Sequence, residues 1–206
     1  MKSILDLKEI QLDALREVAN IGAGHAATAF TQLTGKKTML AVPLLRITPL
    51  NEVPEFLGNS DMIVAGVLMH ILGDITGRML LLFPRESALY LSDILLNRPL
   101  GQTKVISEME RSGISETGNI LACSYLNALS DFLGLLLLPS VPSTVLDMSG
   151  AILSTTYINF GDESDQVICI ETSLRFVQEP TSLRGYFLLI PDEDALEIIL
   201  KAINLA

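Results

Sequence analysis

The sequence predicts a mixed α/β (α+β) fold that is built from two copies of one unit. A helix motif, (Asp or Ser)-x3-Glu-x2-Asn, occurs twice, and its second copy begins 99 residues after the first. In each copy a proline follows the motif asparagine after the same 22 intervening residues. Paired runs of apolar and β-branched residues, typical of buried strands, come later in each half. Together these observations indicate an internally duplicated chain.

Each half is predicted to contain a long helix, a short second helix, a few strands and a closing helix. The long helices carry the motif, and the closing helices begin just after prolines that end the last strand. In the first half the motif helix is predicted at residues 5–33, the two strands at 61–69 and 78–83, and the closing helix at 85–96. In the second half the motif helix is predicted at residues 107–133, the two strands at 165–174 and 185–190, and the closing helix at 192–203.

We expect one domain that covers residues 1–206, with internal repeats at approximately residues 5–98 and 105–206. The offset between matching segments drifts from 99 to 107 residues along the chain, as expected if insertions fall in loops. A segment that contains Pro99 and Gly101 joins the two repeats. A chain of this length buries a sizeable core.

The composition argues against several classes of function. The formal net charge is −10, from 24 acidic and 14 basic residues, so the surface repels nucleic acid and anionic lipid. No apolar run approaches the roughly 20 residues that a membrane-spanning helix needs. Charged residues near the amino terminus occupy positions that are apolar in a secretory signal. We expect a soluble, cytoplasmic protein that binds neither nucleic acid nor membranes.

Few residues are available to bind a metal or to form a disulfide. Cys123 and Cys169 are the only cysteines, and His25 and His70 are the only histidines. Their positions show no spacing typical of metal ligands. We expect buried, reduced thiols and no metal site.

The motif places three polar side chains on one helix face, because positions i, i+4 and i+7 lie nearly in line. The first stripe consists of Asp13, Glu17 and Asn20, and the second stripe consists of Ser112, Glu116 and Asn119. The rest of each helix is mostly apolar, and side chains such as Ile21 and Met109 are expected to face the core. Each helix is therefore expected to be buried except along its stripe.

The repetition of the stripe is what indicates a function. A single Glu-x-x-Asn on an exposed helix is usually only a solvated face. Asparagine is also a weak helix former, which costs roughly a few tenths of a kcal/mol in mid-helix. The same locally unfavourable residue at the same place in both halves is typical of a functional site.

The repeated motif, with Asn20-Ile-Gly-Ala-Gly24 and Pro139-Ser-Val-Pro142, resembles the CheC/CheX/FliY family of chemotaxis phosphatases. The resemblance covers essentially the whole chain, and both motif copies match at every defined position. Two sites and this length fit the CheC branch, since CheX-like members carry one motif and FliY-like members an additional domain. His25 and Cys123 differ from the residues usual beside the motifs. The resemblance implies two pseudo-symmetric halves that share one sheet, with paired long helices packed on it.

The resemblance also implies a function, hydrolysis of the aspartyl-phosphate on the response regulator CheY. The implied catalytic residues are Glu17, Asn20, Glu116 and Asn119, and the implied helper or substrate contacts are Asp13 and Ser112. The asparagines would orient a water molecule, because a neutral carboxamide both donates and accepts hydrogen bonds. The glutamates would pair with a lysine of CheY. The chain would need no cofactor of its own, and the expected Mg²⁺ would belong to CheY.

Two other classes of function are alternatives to the phosphatase. The first is an adaptor that binds CheD, CheY or both and has little or no catalytic activity. Residues 147–152, which begin with Asp147, resemble the region implicated in CheD binding. The second is a small-molecule-binding α/β domain, for which the sequence offers no convergent set of buried polar residues.

Glycines and prolines near the motifs are expected to be structural. Gly22 and Gly24 resemble part of a phosphate loop, but no lysine follows and no strand precedes them. Close helix packing is therefore the expected role of both glycines. Pro43 and Pro142 are expected to fix the places where the chain turns into the next segment.

The two stripes differ in charge, which predicts unequal activity. Asp13 adds a second carboxylate to the first stripe, whereas Ser112 is neutral. Repulsion of an anionic phosphoryl group costs about 1 kcal/mol at a partly exposed interface, or about fivefold in rate. The second stripe is therefore predicted to be the better catalyst.

Overall fold

The computed structural model describes residues 9–160, 166–177, 179, 181–192, 195, 198, 199, 201 and 202. Within these residues the chain forms five α-helices and one seven-stranded sheet. The helices are α1 (Glu9–Thr34), α2 (Val53–Leu57), α3 (Arg85–Leu95), α4 (Glu108–Leu133) and α5 (Ser149–Phe160). The strands are β1 (Thr38–Pro49), β2 (Ile63–Gly73), β3 (Gly77–Pro84), β4 (Leu137–Pro139), β5 (Ser143–Met148), β6 (Gln166–Phe176) and β7 (Ser182–Pro191). None of the described helices has both the length and the hydropathy needed to cross a bilayer.

The sheet is antiparallel, and its order shows that the two halves are interlocked. The order is β1-β6-β7-β3-β2-β4, and β5 pairs with β2 beside β4. The central neighbours β7 and β3 come from different halves. At one end β1 of the first half pairs with β6 of the second, and at the other β4 and β5 pair with β2. The predicted fold, two pseudo-symmetric halves that share one sheet, is confirmed.

The predicted elements are close to the observed ones, except that three strands were missed. The motif helices, the strand pairs and the first closing helix lie within a few residues of their predicted positions. Strand β1 lies between α1 and α2, where no strand was predicted, and β4 and β5 lie between α4 and α5. Half of the second predicted closing helix, residues 192–203, lies outside the described residues. Among the described ones, residues 195, 198, 199, 201 and 202 are helical.

The expectation that Pro43 marks a turn between segments is wrong. Pro43 lies inside β1, between Ala41 and Leu44, where the pairing with β6 shifts register. A bulge in an edge strand tolerates proline because its missing N–H leaves no ladder hydrogen bond unmade. Pro142 lies at the matching place, in the gap between β4 and β5. The bulge in β1 and the gap after β4 are thus equivalent in the two repeats.

The sheet is buried on both faces, which explains its nearly continuous apolar strands. In β3 Met79, Leu81 and Phe83 join the core beneath α1 and α4. The alternate residues Leu80 and Leu82 join a second core with residues of α2 and α5. Successive strand residues point to opposite faces, so the molecule has three layers. Helices α1 and α4 form one outer layer, which carries the stripes.

Two glycines allow the outer layer to pack closely. A Cβ on Gly22 of α1 would lie 2.7 Å from Cδ1 and 3.0 Å from Cα of Tyr125 in α4. A Cβ on Gly118 of α4 would lie 2.6 Å from Cγ1 of Val67 in β2. Because both glycines lack a Cβ, α1 packs directly against α4, and α4 packs directly against the sheet. The packing role expected for Gly22 is confirmed, whereas Gly24 is exposed, with no atom within 4 Å of its Cβ position.

Candidate active site

The first stripe lies on the outer face of α1. Asp13, Glu17 and Asn20 are exposed, while Leu15 and Val18 are buried against the sheet. This division follows from the helical spacing, because the buried and exposed positions lie on opposite faces. The three polar side chains are therefore presented to the outside by a helix whose other face is fixed in the core.

The second stripe repeats this arrangement on α4 with one difference. Ser112 and Glu116 are exposed, and Asn119 is partly buried. Ile114 and Leu121 are buried on the opposite face. Both stripes thus lie on the paired helices of one layer, and the second asparagine is the less exposed of the two.

Two apolar side chains do not face the core as predicted. Ile21 is 44% exposed and Met109 is 60% exposed. Ile21 directly follows Asn20 and lies beside the polar stripe. Met109 lies in the first turn of α4. Helical periodicity predicts which residues share a face, but the neighbouring elements decide how much of that face is covered.

In the first stripe the additional carboxylate is paired. Arg16 Nη1 lies 2.7 Å from Asp13 Oδ1, and the two side chains are 50% and 63% exposed. The guanidinium offsets the negative charge of Asp13, although solvent screens an exposed pair of this kind. The charge difference on which the predicted ranking of the stripes was based is therefore smaller than the sequence indicates. Within the described residues Glu17 and Asn20 have no side-chain partner.

In the second stripe the asparagine is held by a cysteine. Sγ of Cys123 lies 3.6 Å from Oδ1 of Asn119, one helical turn away. Burial raises the pKa of the Cys123 thiol, and the nearby Glu116 carboxylate raises it further. The thiol therefore remains protonated at neutral pH and is able to donate. The i, i+4 spacing of these two residues is visible in the sequence, but it was not recognised there as a contact.

The beginning of α4 is fixed by a partly buried ion pair and a capping box. Glu110 is 4% exposed, and its carboxylate accepts hydrogen bonds from the backbone N–H (2.9 Å) and the hydroxyl of Ser107. Arg98 Nη1 lies 2.6 Å from Glu110 Oε1 and also donates to Thr103. This group sets the position at which the helix with the second stripe starts. The Ser-x-x-Glu spacing was a readable signal that the sequence analysis missed.

The junction before α4 is held by a second buried carboxylate. Asp93 is fully buried and accepts hydrogen bonds from the backbone N–H groups of Gly101, Gln102 and Thr103, at 2.7, 3.1 and 2.8 Å. Burial alone would raise the pKa of Asp93, but a hydrogen bond from the Thr103 side chain, together with these backbone hydrogen bonds, outweighs burial and lowers the pKa below its usual value. The connection between the two halves is therefore an ordered part of the fold.

Asp147 lies outside the two motif helices, on β5 at the edge of the sheet. Its side chain is exposed, and exposed apolar side chains of Val145 and Met148 are its neighbours on the strand. A groove of about 210 Å³ between β5 and α5 is lined by Asp147, Ala151 and Thr155, among others. This edge is a second exposed surface with mixed apolar and acidic character.

The described residues offer no grouped metal ligands. Within them, no three His, Cys, Asp or Glu side chains come together as a metal site would require. His25 is exposed, and Cys123 and Cys169 are both free thiols, of which Cys169 is buried. The side chains of the two stripes are carboxylates, carboxamides and one hydroxyl.

Comparison with known proteins identifies the family. A profile of the CheC-like family matches residues 10–44 and 109–146, which contain both stripes. The protein named CheY-P phosphatase CheC from Bacillus subtilis is 36% identical over 200 residues, which are 96% of each chain. The chain belongs to the CheC-like family. The resemblance seen in the two motif copies is thereby confirmed.

Solved structures show the same fold at low sequence identity. FliY from Thermotoga maritima is similar with a TM-score of 0.79 and 17% identity, over 97% of this chain and 98% of that one. A chain of the CheX–CheY–BeF3–Mg²⁺ complex from Borrelia burgdorferi is similar with a TM-score of 0.53 and 12% identity, over 86% and 97%. The CheC-like chain therefore shares its architecture with proteins of the CheX and FliY type.

Proposed function

We propose that this CheC-like protein hydrolyses the aspartyl-phosphate of CheY, using a water molecule oriented by Asn20 at one site and by Asn119 at the other. The observation that carries the proposal is the pair of solvent-accessible Glu–Asn stripes on packed helices, in a chain similar over 96% of its length to a CheY-P phosphatase. Rigid, outward-facing stripes suit a macromolecular substrate, since the reacting group must be brought to them by a partner.

The chemistry requires little of the catalyst. Water attacks the phosphorus atom in line while the bond from phosphorus to the aspartyl oxygen breaks, and the bonding electrons leave with the carboxylate. The water proton passes to the phosphate product or to solvent. Because a carboxylate is a good leaving group, the main task is to position the water. A carboxamide does so by donating and accepting hydrogen bonds without bringing negative charge to the phosphoryl oxygens.

The glutamates are assigned to docking. Glu17 and Glu116 are exposed and have no side-chain partner among the described residues, so their carboxylates are available to a cation on CheY. A lysine near the phosphorylation site of CheY is the proposed partner. The divalent ion, Mg²⁺, is assigned to CheY, and no cofactor is assigned to this chain.

The direct test measures phosphate release from phosphorylated CheY with and without this protein. We expect substoichiometric protein to accelerate release, because each molecule turns over repeatedly. Stoichiometric binding of CheY without faster release would favour the adaptor instead and contradict the phosphatase.

Replacing both glutamates, Glu17→Gln with Glu116→Gln, is expected to weaken binding of CheY and to make the remaining affinity less sensitive to salt. Charge pairs at an interface promote encounter and are screened by ions. The measurement is a titration of binding at two salt concentrations. Glu55→Gln with Asp61→Asn removes the same charge at exposed positions outside α1 and α4 and serves as the control. An unchanged affinity with slower turnover would assign the glutamates to the chemical step.

We further propose that the edge strand β5 binds CheD. The specific observation is that Asp147 is exposed on an edge strand between exposed apolar side chains. It lines the groove beside α5, whereas the stripes lie on α1 and α4. An edge strand with one acidic group offers both backbone hydrogen bonds and a charge to a partner. Such an adaptor role is compatible with catalysis because the two surfaces are separate.

Asp147→Arg is therefore expected to reduce CheD binding at least tenfold and to leave phosphate release from CheY unchanged, since a like-charge contact at an interface costs several kcal/mol. Asp131→Arg, an equal charge change at an exposed position of α4, is the control. Loss of both activities in Asp147→Arg would contradict the separation of the surfaces.

A further inference from the structure

The two sites differ at the position one helical turn after the asparagine. Cys123 occupies this position in α4, and Gly24, 99 residues earlier, occupies it in α1. The Cys123 thiol lies 3.6 Å from Asn119 Oδ1, which is within hydrogen-bonding range for sulfur. Gly24 has no side chain, and Asn20 has no side-chain partner among the described residues. One carboxamide is therefore held by a neighbour and the other is not.

We propose, on the basis of the function proposed above, that Cys123 is a positioning residue that fixes the Asn119 carboxamide for catalysis. The thiol donates to one lone pair of Oδ1. The second lone pair and both hydrogens on Nδ2 remain free for the attacking water and the phosphoryl oxygens. The second site is thus preorganised, whereas the carboxamide of Asn20 must be ordered each time CheY binds.

Burial around the two asparagines supports this difference. Asn119 and Cys123 are both partly buried, whereas Asn20 and Gly24 are both exposed. Partial burial shields the thiol–carboxamide contact from competing water, and the raised pKa of the thiol keeps it a donor at neutral pH. Ordering one side chain before CheY binds is expected to raise the rate of phosphate release about two- to tenfold.

The first arm of the test isolates the second site in an Asn20→Ala background. Cys123→Ala removes the donor and keeps a residue that favours helix. We expect kcat for phosphate release from CheY to fall about two- to tenfold, with KM unchanged, because the contact orients the water and does not bind CheY. An unchanged kcat, or a loss confined to KM, would overturn the proposal.

The second arm builds the contact at the first site in an Asn119→Ala background. The Cβ position of Gly24 has no atom within 4 Å, so Gly24→Cys is sterically allowed. We expect it to raise kcat above that of Gly24→Ala, the matched control for the change in helix propensity. The gain should be smaller than the loss in the first arm, because Gly24 is exposed and water competes for the contact. Equal rates for Gly24→Cys and Gly24→Ala would overturn the proposal. This arm does not depend on whether the Cys123→Ala protein of the first arm folds.

The two levels of inference fail in different ways. If the unmodified protein does not accelerate phosphate release, or if the Asn20→Ala, Asn119→Ala protein still accelerates it, the proposed function is wrong. If the Asn20→Ala protein alone is inactive, the second site is not the preorganised one and the positioning role is overturned. If release depends on Asn119 but not on Cys123, only the positioning role is overturned.

Discussion

Replacing both stripe asparagines, Asn20→Ala with Asn119→Ala, is expected to lower phosphate release from phosphorylated CheY to the rate of CheY alone. The alanine side chain neither donates nor accepts hydrogen bonds, so the water loses its orienting group at both sites. The fold should persist, because Asn20 is exposed and Asn119 is only partly buried. Alanine is also the better helix former, by roughly a few tenths of a kcal/mol at each position.

The chain offers a matched control for this experiment. Gln32 in α1 and Asn127 in α4 are exposed amides on the same two helices, outside the stripes. Gln32→Ala with Asn127→Ala removes two carboxamides and should leave phosphate release at the wild-type rate. Full activity in a folded Asn20→Ala, Asn119→Ala protein would show that the asparagines do not orient the water.

Replacing Glu110 with alanine is expected to lower the free energy of unfolding by about 2–4 kcal/mol. The change removes the acceptor for Ser107 and leaves the Arg98 guanidinium without its carboxylate. Urea denaturation of the whole chain measures the effect. Glu108→Ala, at an exposed position in the same first turn, is the control and should cost less than about 1 kcal/mol.

The same carboxylate predicts a pH dependence of stability. Hydrogen bonds from Ser107, and then from Arg98, lower the pKa of Glu110 from 4.5 to about 2. Between these values the unfolded chain binds a proton that the folded chain does not. This part of the stability is therefore complete above about pH 4.5 and is lost as the pH falls toward 2. Glu110→Gln should show a flatter stability profile across this range, and a profile parallel to the wild type would contradict the assignment.

The sequence was sufficient to predict the stripes and the centre of the sheet. Both depend on local periodicity: Glu17 and Asn20 share a helix face by spacing alone, and a strand such as β3, buried on both faces, reads as an apolar run. The repeat strengthened each prediction, since the same pattern had to fit twice. Family membership then follows from the motif copies and the overall identity.

The edges of the sheet could not be predicted in the same way. Strand β1 contains Pro43 and Pro49, which argue against a strand until a bulge and an edge position are known. Strand β5 is almost wholly exposed and shows no alternation of buried and exposed residues. Its pairing, like that of β1, is with a distant part of the chain. The i, i+4 spacing of Asn119 and Cys123 is visible in the sequence. The strength of their contact depends on how buried the two side chains are, which is known only from the fold.

The exchange of edge strands between the halves has a consequence for how the chain is made and how it unfolds. Residue Thr38 of β1 pairs with Phe176 of β6, so β1 finds its partner only after β6, in the second half of the chain, has left the ribosome. Pairing across so long a loop is entropically costly and slows folding. The edge strands of each half pair with strands of the other half, so cleavage of the chain at the junction would leave two fragments with unpaired strand edges if they separated. The two sites are therefore gained and lost together, in one cooperative transition.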